Sequence, residues 1–157
     1  MPMPPMNAPT YPATSTTGQI CASLGIKISF DTFEEGWNSI YVGVIPETIS
    51  LLQELHSNVK LFAFTNSNVQ HRKIWPPRFE RELRPFERIF CSSQLGLRKL
   101  EPEAFAKVVE EIDVSKEKLL FVDDLLQNVQ AAEALGIRSV LFDDASAAVF
   151  RIRQLTS

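Results

Sequence analysis

The sequence predicts an α/β protein built on a parallel sheet with helices on both faces. From residue 46 onward, helix-like and strand-like stretches alternate, and a strand that returns parallel to its neighbour needs a helical crossover. Two of the strand-like stretches, Leu61-Phe62-Ala63-Phe64 and Leu119-Leu120-Phe121-Val122, are continuous apolar runs, the pattern of strands covered on both faces. Both runs end abruptly in polar residues, Thr65-Asn66 and Asp123-Asp124. In open parallel sheets that carboxyl end is where ligands sit.

The elements follow in order. Residues 1–18 are rich in Pro, Ser, Thr and Met and have little to bury, so they are expected to be a disordered tail. Ile20 to Leu24 is expected to be a helix stopped at Gly25, and Thr32 to Tyr41 a second helix capped by Asp31 or Thr32. Pro46 to Leu55 places Ile49, Leu51, Leu52 and Leu55 near one face, with Pro46 suited to a first turn. Leu61 to Phe64 is a buried strand, followed by turn and cap residues from Thr65 to Asn68. Ile74 to Phe86 carries three prolines and many charges, so an irregular helical connection is expected. Arg88 to Cys91 reads as a strand, Pro102 to Ile112 as a helix and Lys118 to Val122 as a strand. Leu126 to Leu135 reads as a helix stopped by Gly136, Arg138 to Phe142 as the last strand and Ala145 to Leu155 as a closing helix. The division expected is a tail over 1–18, a partial helical cap over 19–45 and the α/β core over 46–157.

Composition narrows the function classes. A chain of 157 residues with a net charge of −3 can bury a core, and it offers no basic footprint for nucleic acid or an anionic membrane. Its apolar runs are too short to span a bilayer, and Met1-Pro2-Met3-Pro4-Pro5 lacks the basic and apolar regions of a secretory signal. Cys21 and Cys91 have no metal-ligand spacing. A reduced cytoplasmic setting is the expectation, with a Cys21–Cys91 disulfide as the alternative.

Three features are placed for phosphoryl chemistry. Thr65-Asn66 follows a buried strand, where a hydroxyl and backbone N–H groups can hold a phosphate oxygen, although such a Thr also serves as a helix cap. Lys99, in Gly96-Leu97-Arg98-Lys99-Leu100-Glu101-Pro102, enters a helix and can neutralise a carboxylate pair and a phosphate. Asp123-Asp124 ends a strand, with Asn128 one turn into the following helix. Adjacent carboxylates at a strand end suit a cation. The alternative is that Asp124 merely caps that helix.

The order and spacing of Thr65, Lys99 and Asp123-Asp124 resemble the second, third and fourth motifs of the haloacid dehalogenase (HAD) superfamily. Gly36-Trp37-Asn38, Phe64 to Asn68, Gly96 to Lys99, and Phe121 to Asp124 through Leu135-Gly136-Ile137 are similar to its small sugar-phosphate phosphatases. The resemblance implies a Rossmann-like HAD core and a Mg²⁺-dependent phosphatase acting on a small phosphorylated metabolite. It implies that Thr65 and Asn66 bind substrate, that Lys99 neutralises charge, and that Asp124 ligates magnesium with Asp123 beside it and Asn128 in support.

The resemblance also shows what is missing. Members carry an Asp-x-Asp nucleophile motif at the end of a first strand, and no Asp-x-Asp occurs in this sequence. Residues 19–45 resemble the later half of the cap, so the chain reads as a HAD core lacking its usual first strand, with a remnant helical cap and impaired activity. That first strand lies between the strands of the second and fourth motifs. Three outcomes are then open: the two neighbours pair directly, Ile26 to Phe30 fills the gap, or another chain covers the edge by self-association. A rival reading makes Asp31, after Ile26 to Phe30, the nucleophile of a haloacid dehalogenase. A further alternative is a non-catalytic HAD-like binding module or gene fragment. Leu100, where relatives carry proline, is expected to leave Lys99 less firmly placed, and Leu125-Leu126 makes the rim of the site apolar.

Overall fold

A computed structural model describes residues 16–156. The tail expected over residues 1–18 lies outside the described residues, except that residues 16–18 open the first helix, α1 (Thr16–Ser23). The chain divides into two compact units, residues 1–43 and 44–157.

In the first unit, α1 ends in a left-handed Gly25 at φ 64°. The Gly25 N–H donates to Ala22 O at 3.2 Å and the Ile26 N–H to Cys21 O at 3.0 Å, a paired closure that a β-carbon at position 25 would oppose. The second helix, α2 (Phe30–Asn38), is capped by Ser29, whose Oγ accepts the Thr32 N–H at 3.1 Å. Sequence reasoning placed this cap at Asp31 or Thr32. Ser29 takes the role because its backbone is extended and its hydroxyl lies three residues ahead of a free N–H. Phe33 stacks on Trp37 within α2, with ring centroids 5.4 Å apart. Residues 26–29 form no strand, and Asp31 sits exposed in the first turn of α2 rather than at a strand end.

In the second unit the order is α3 (Pro46–Leu55), β1 (Leu61–Thr65), α4 (Val69–Arg78), α5 (Glu80–Leu83), β2 (Phe86–Cys91), α6 (Ser92–Leu95), α7 (Pro102–Ile112), β3 (Leu120–Asp123), α8 (Leu126–Ala134), β4 (Arg138–Leu141) and α9 (Ala145–Thr156). Helices α3 and α7 have the bounds expected, each opened by proline. The connection read as irregular is helical from Val69, because Asn68 Oδ1 accepts the His71 N–H at 2.8 Å and starts α4 ahead of Pro76-Pro77. The prolines fall in its last turn and end it. No helix among the described residues is long and apolar enough to cross a membrane.

Among the described residues all strand pairing is parallel, in two sheets, β1 with β2 and β3 with β4. Neither direct pairing of β1 with β3 nor insertion of Ile26–Phe30 closes the middle. Side chains join the halves instead. On one face, Leu51 and Leu55 of α3 and Ala148, Val149 and Ile152 of α9 pack with Leu61 of β1 and Leu120 of β3. On the other face, Phe105 of α7 meets Phe64 of β1 edge-on at 5.6 Å and Phe121 of β3 edge-on at 5.3 Å between centroids. The alternation of Leu61 with Phe64, and of Leu120 with Phe121, is the two-residue pleat of a strand buried on both sides.

Phe105 is therefore the side chain whose loss should do most harm to the core. Phe105→Ala is expected to cost about 3–5 kcal/mol, measured as a fall in the urea midpoint.

Candidate active site

The site is built at the carboxyl ends of β1, β2 and β3. After β1 the chain turns through Asn66 and Ser67 before Asn68 caps α4. Thr65 is thus not the cap. Its neighbours are tied across to the end of β2: the Ser67 N–H donates to Ser92 Oγ at 3.0 Å, and Ser92 Oγ lies 3.2 Å from Ser67 O. The indole N–H of Trp75 donates to Ser67 Oγ at 3.2 Å. These bonds fix the turn that follows Thr65, and sequence reasoning missed them because Ser67 and Ser92 are 25 positions apart with no local pattern linking them.

Lys99 reaches the site from the loop after α6, which ends in a left-handed Gly96 at φ 71°. Its backbone N–H donates to Asn66 Oδ1 at 2.8 Å, and its ammonium donates to Asp123 Oδ2 at 2.7 Å. The same ammonium lies 5.8 Å from the centre of the Phe64 ring. Leu100 was expected to leave Lys99 loosely placed. The structure corrects that: Leu100 adopts φ 85°, which proline cannot reach, and Asn66 and Asp123 hold the lysine at both ends. Asn66, expected to face substrate, has its side-chain carbonyl committed to this brace.

The two aspartates are not equivalent. Asp123 is buried, and besides Lys99 it accepts the Leu125 N–H at 2.9 Å and Asn128 Nδ2 at 2.7 Å, both on Oδ1. Asn128 is itself buried. Asp124 is exposed, and it does not cap α8, whose cap position is Leu125 with no side-chain bond. Leu100, Leu125 and Leu126 are all exposed. The structure thus brings Asn66, Lys99, Asp123 and Asn128 into one bonded chain, with Thr65 at the end of the neighbouring strand and Asp124 next to Asp123 in sequence.

Burial alone would raise the Asp123 carboxyl, but the Lys99 hydrogen bond, the Asn128 and Leu125 donors and the Lys99 charge outweigh it and hold its pKa below the usual 3.8. A carboxyl depressed on folding stabilises the protein above its unfolded-state pKa, and that contribution fades as the pH falls through the lower, folded value. The stability gap between wild type and Asp123→Asn should therefore shrink below about pH 3.8, as read from urea melts across pH. Lys99→Met should cost about 3 kcal/mol near neutral pH and turn the Asp123 shift upward, which a carboxyl NMR titration would follow.

Comparisons with known proteins bear on the family and the fold. A family model for haloacid dehalogenase-like hydrolases matches residues 20–136. The sesquiterpene phosphatase astK of Aspergillus oryzae is 35% identical over 108 residues, 68% of this chain and 54% of that protein. A D-ribitol-5-phosphate phosphatase of Bacteroides thetaiotaomicron is 23% identical over 128 residues, 78% of this chain and 60% of that protein. The chain thus spans roughly half of the length of these curated relatives. A HAD family enzyme of B. thetaiotaomicron, solved in complex with magnesium and inorganic phosphate, superposes with a TM-score of 0.68 at 25% identity, over 79% of this chain and 65% of that one. A HAD-like hydrolase of Porphyromonas gingivalis shares the fold with a TM-score of 0.70 at 20% identity, over 86% of this chain and 70% of that one. With three quarters of its length matched by that family model, the chain belongs to the haloacid dehalogenase-like hydrolases.

Proposed function

We propose that this chain is the phosphate-binding part of a HAD-type phosphatase, able to bind Mg²⁺ and phosphate but weak in hydrolysis by itself. The observation that carries the reading is Lys99, held by Asn66 and Asp123 at the carboxyl ends of two strands. An ammonium fixed in that position can offset phosphate charge without reorganising. Thr65 would hold a phosphate oxygen, and Asp124 would ligate magnesium with Asp123 beside it.

The donor set fits magnesium, which commonly takes one or two carboxylates and completes its shell with water and phosphate. Asp123 already accepts three hydrogen bonds, which leaves about one of its four lone-pair sites. The exposed Asp124 is the better placed ligand. Magnesium, when bound, would supply positive charge against the phosphate oxygens. Lys99 and Asn128 would hold Asp123 in its rotamer, and the Ser67–Ser92 tie would keep the Thr65 loop in place.

Weak turnover follows from the absent Asp-x-Asp: covalent phosphoryl transfer needs a carboxylate nucleophile, and Asp123 is tied to Lys99, Leu125 and Asn128 by three hydrogen bonds. For the substrate, the resemblance to small sugar-phosphate phosphatases favours a sugar phosphate. A second reading, an isoprenoid phosphate, is favoured by the exposed Leu100, Leu125 and Leu126 beside Lys99 and the aspartates, and by the likeness to a sesquiterpene phosphatase.

Inorganic phosphate with magnesium should raise the melting temperature of the wild type. Thr65→Ala should weaken that binding by roughly five-fold, and Asp124→Asn should remove its magnesium dependence. Hydrolysis of p-nitrophenyl phosphate should be slow and unaffected by Asp31→Asn. Turnover that vanishes with Asp31→Asn would instead make Asp31 the nucleophile. Faster hydrolysis of farnesyl phosphate than of glucose 1-phosphate would select the isoprenoid reading.

A further inference from the structure

We infer that Ser92 is a positioning residue of the phosphate site: its hydroxyl locks the loop after β1 onto the loop that carries Lys99, and so fixes the Thr65 hydroxyl relative to the lysine. This role deepens the phosphate-binding reading above and rests on it.

The register of β1 with β2 ends at the pair Thr65–Cys91. Beyond it β2 turns into α6, while the chain from β1 runs on toward α4. In a parallel ladder, the N–H and C=O that a residue points at its neighbour are both met by that neighbour's backbone. Ser67, two residues past the last pair, has no such backbone beside it. One side-chain atom takes over instead: Ser92 Oγ accepts the Ser67 N–H at 3.0 Å and donates to Ser67 O at 3.2 Å. A hydroxyl can do both because it carries one O–H and two lone pairs. The Cys91 thiol reaches the same Ser67 O at 3.6 Å, a weaker contact that leaves the N–H to Ser92. The Ser67 hydroxyl is engaged elsewhere, by the Trp75 indole N–H.

Ser92 also shapes the loop that delivers the lysine. Its carbonyl accepts the Gly96 N–H at 2.9 Å and closes α6 on that left-handed glycine, three positions before Lys99. The Lys99 N–H then returns to Asn66 Oδ1 at 2.8 Å. The loops 65–68 and 92–99 are therefore pinned at two consecutive residues, Asn66 to Lys99 and Ser67 to Ser92. One pin would act as a swivel, whereas two set an orientation. Lys99 is held from a third side by Asp123, so the part free to drift when the Ser92 pin is lost is the Thr65 side. None of these bonds touches the Thr65 hydroxyl, whose direction is set by the backbone just ahead of the two pins. A donor fixed in advance stabilises an anion without reorganising. The neighbouring Ser93 is a natural control, being exposed, with its hydroxyl 3.2 Å from the Cys91 sulfur and off the Thr65 loop.

The test uses the full chain. Phosphate affinity with magnesium present is measured by calorimetry, and amide hydrogen exchange is followed by NMR without phosphate. Ser92→Ala should weaken phosphate by about five-fold, while Ser92→Thr, which keeps the hydroxyl, and Ser93→Ala stay within about two-fold. In a Thr65→Ala background Ser92→Ala should add less than about two-fold, because it acts through Thr65. Without phosphate, Ser92→Ala should speed exchange of the Ser67 and Lys99 amides together, by about tenfold or more. Losses that multiply in the double variant would give Ser92 a merely structural role and overturn the inference. So would equal losses in Ser92→Ala and Ser92→Thr, no loss in Ser92→Ala, or a Lys99 amide unmoved by it. A wild type that binds no phosphate, with both amides still released in Ser92→Ala, would overturn the phosphate-binding reading and keep the joint between the loops.

Discussion

A parallel strand in the middle of a sheet has to satisfy backbone groups on both of its edges, and among the described residues β1 and β3 each pair with one neighbouring strand, β2 and β4. The cohesion of the second unit therefore passes through side chains. Phe105 bridges the halves on one face, Leu61 and Leu120 share a cluster on the other, and Lys99 joins their carboxyl ends. Side-chain packing sets a distance but not a register. That is how the two half-sheets are held together while their strands remain separate.

The same lysine makes the site electrostatically economical. Two adjacent carboxylates repel one another, and the repulsion is costly when both are dry. The chain divides them by environment. Asp123 is drawn inside and neutralised by Lys99, Asn128 and the Leu125 N–H, whereas Asp124 stays in water, where its charge is tolerated and accessible. An acidic pair thus becomes one buried, hydrogen-bonded carboxylate and one exposed carboxylate.

Much of this was legible in the residues. Helices with a proline start, α3 and α7, have the expected bounds, and the glycine stops at Gly25 and Gly136 both take positive φ. The apolar runs of β1 and β3 announced burial on two faces, and the absence of Asp-x-Asp announced a sheet without its middle strand. What escaped was set by contacts between distant residues. The cap of α2 moved to Ser29 because backbone conformation, not residue preference, decides between neighbouring candidates. Asn66 read as a substrate contact, and the bond from a backbone N–H 33 positions away to its side-chain carbonyl had no local signal. The unequal aspartates could not be told apart in sequence, since both are equally acidic until a lysine chooses one.

Leu100 shows how far this loop has settled into its own solution. A leucine with φ at 85° carries a steric penalty on the order of 1–2 kcal/mol, accepted where the chain turns between Lys99 and α7. A proline there would be locked near φ −65°, a conformation that this turn does not take. A proline at position 100 would thus be a loss rather than a repair, because the loop that carries Lys99 is built around a backbone conformation closed to it.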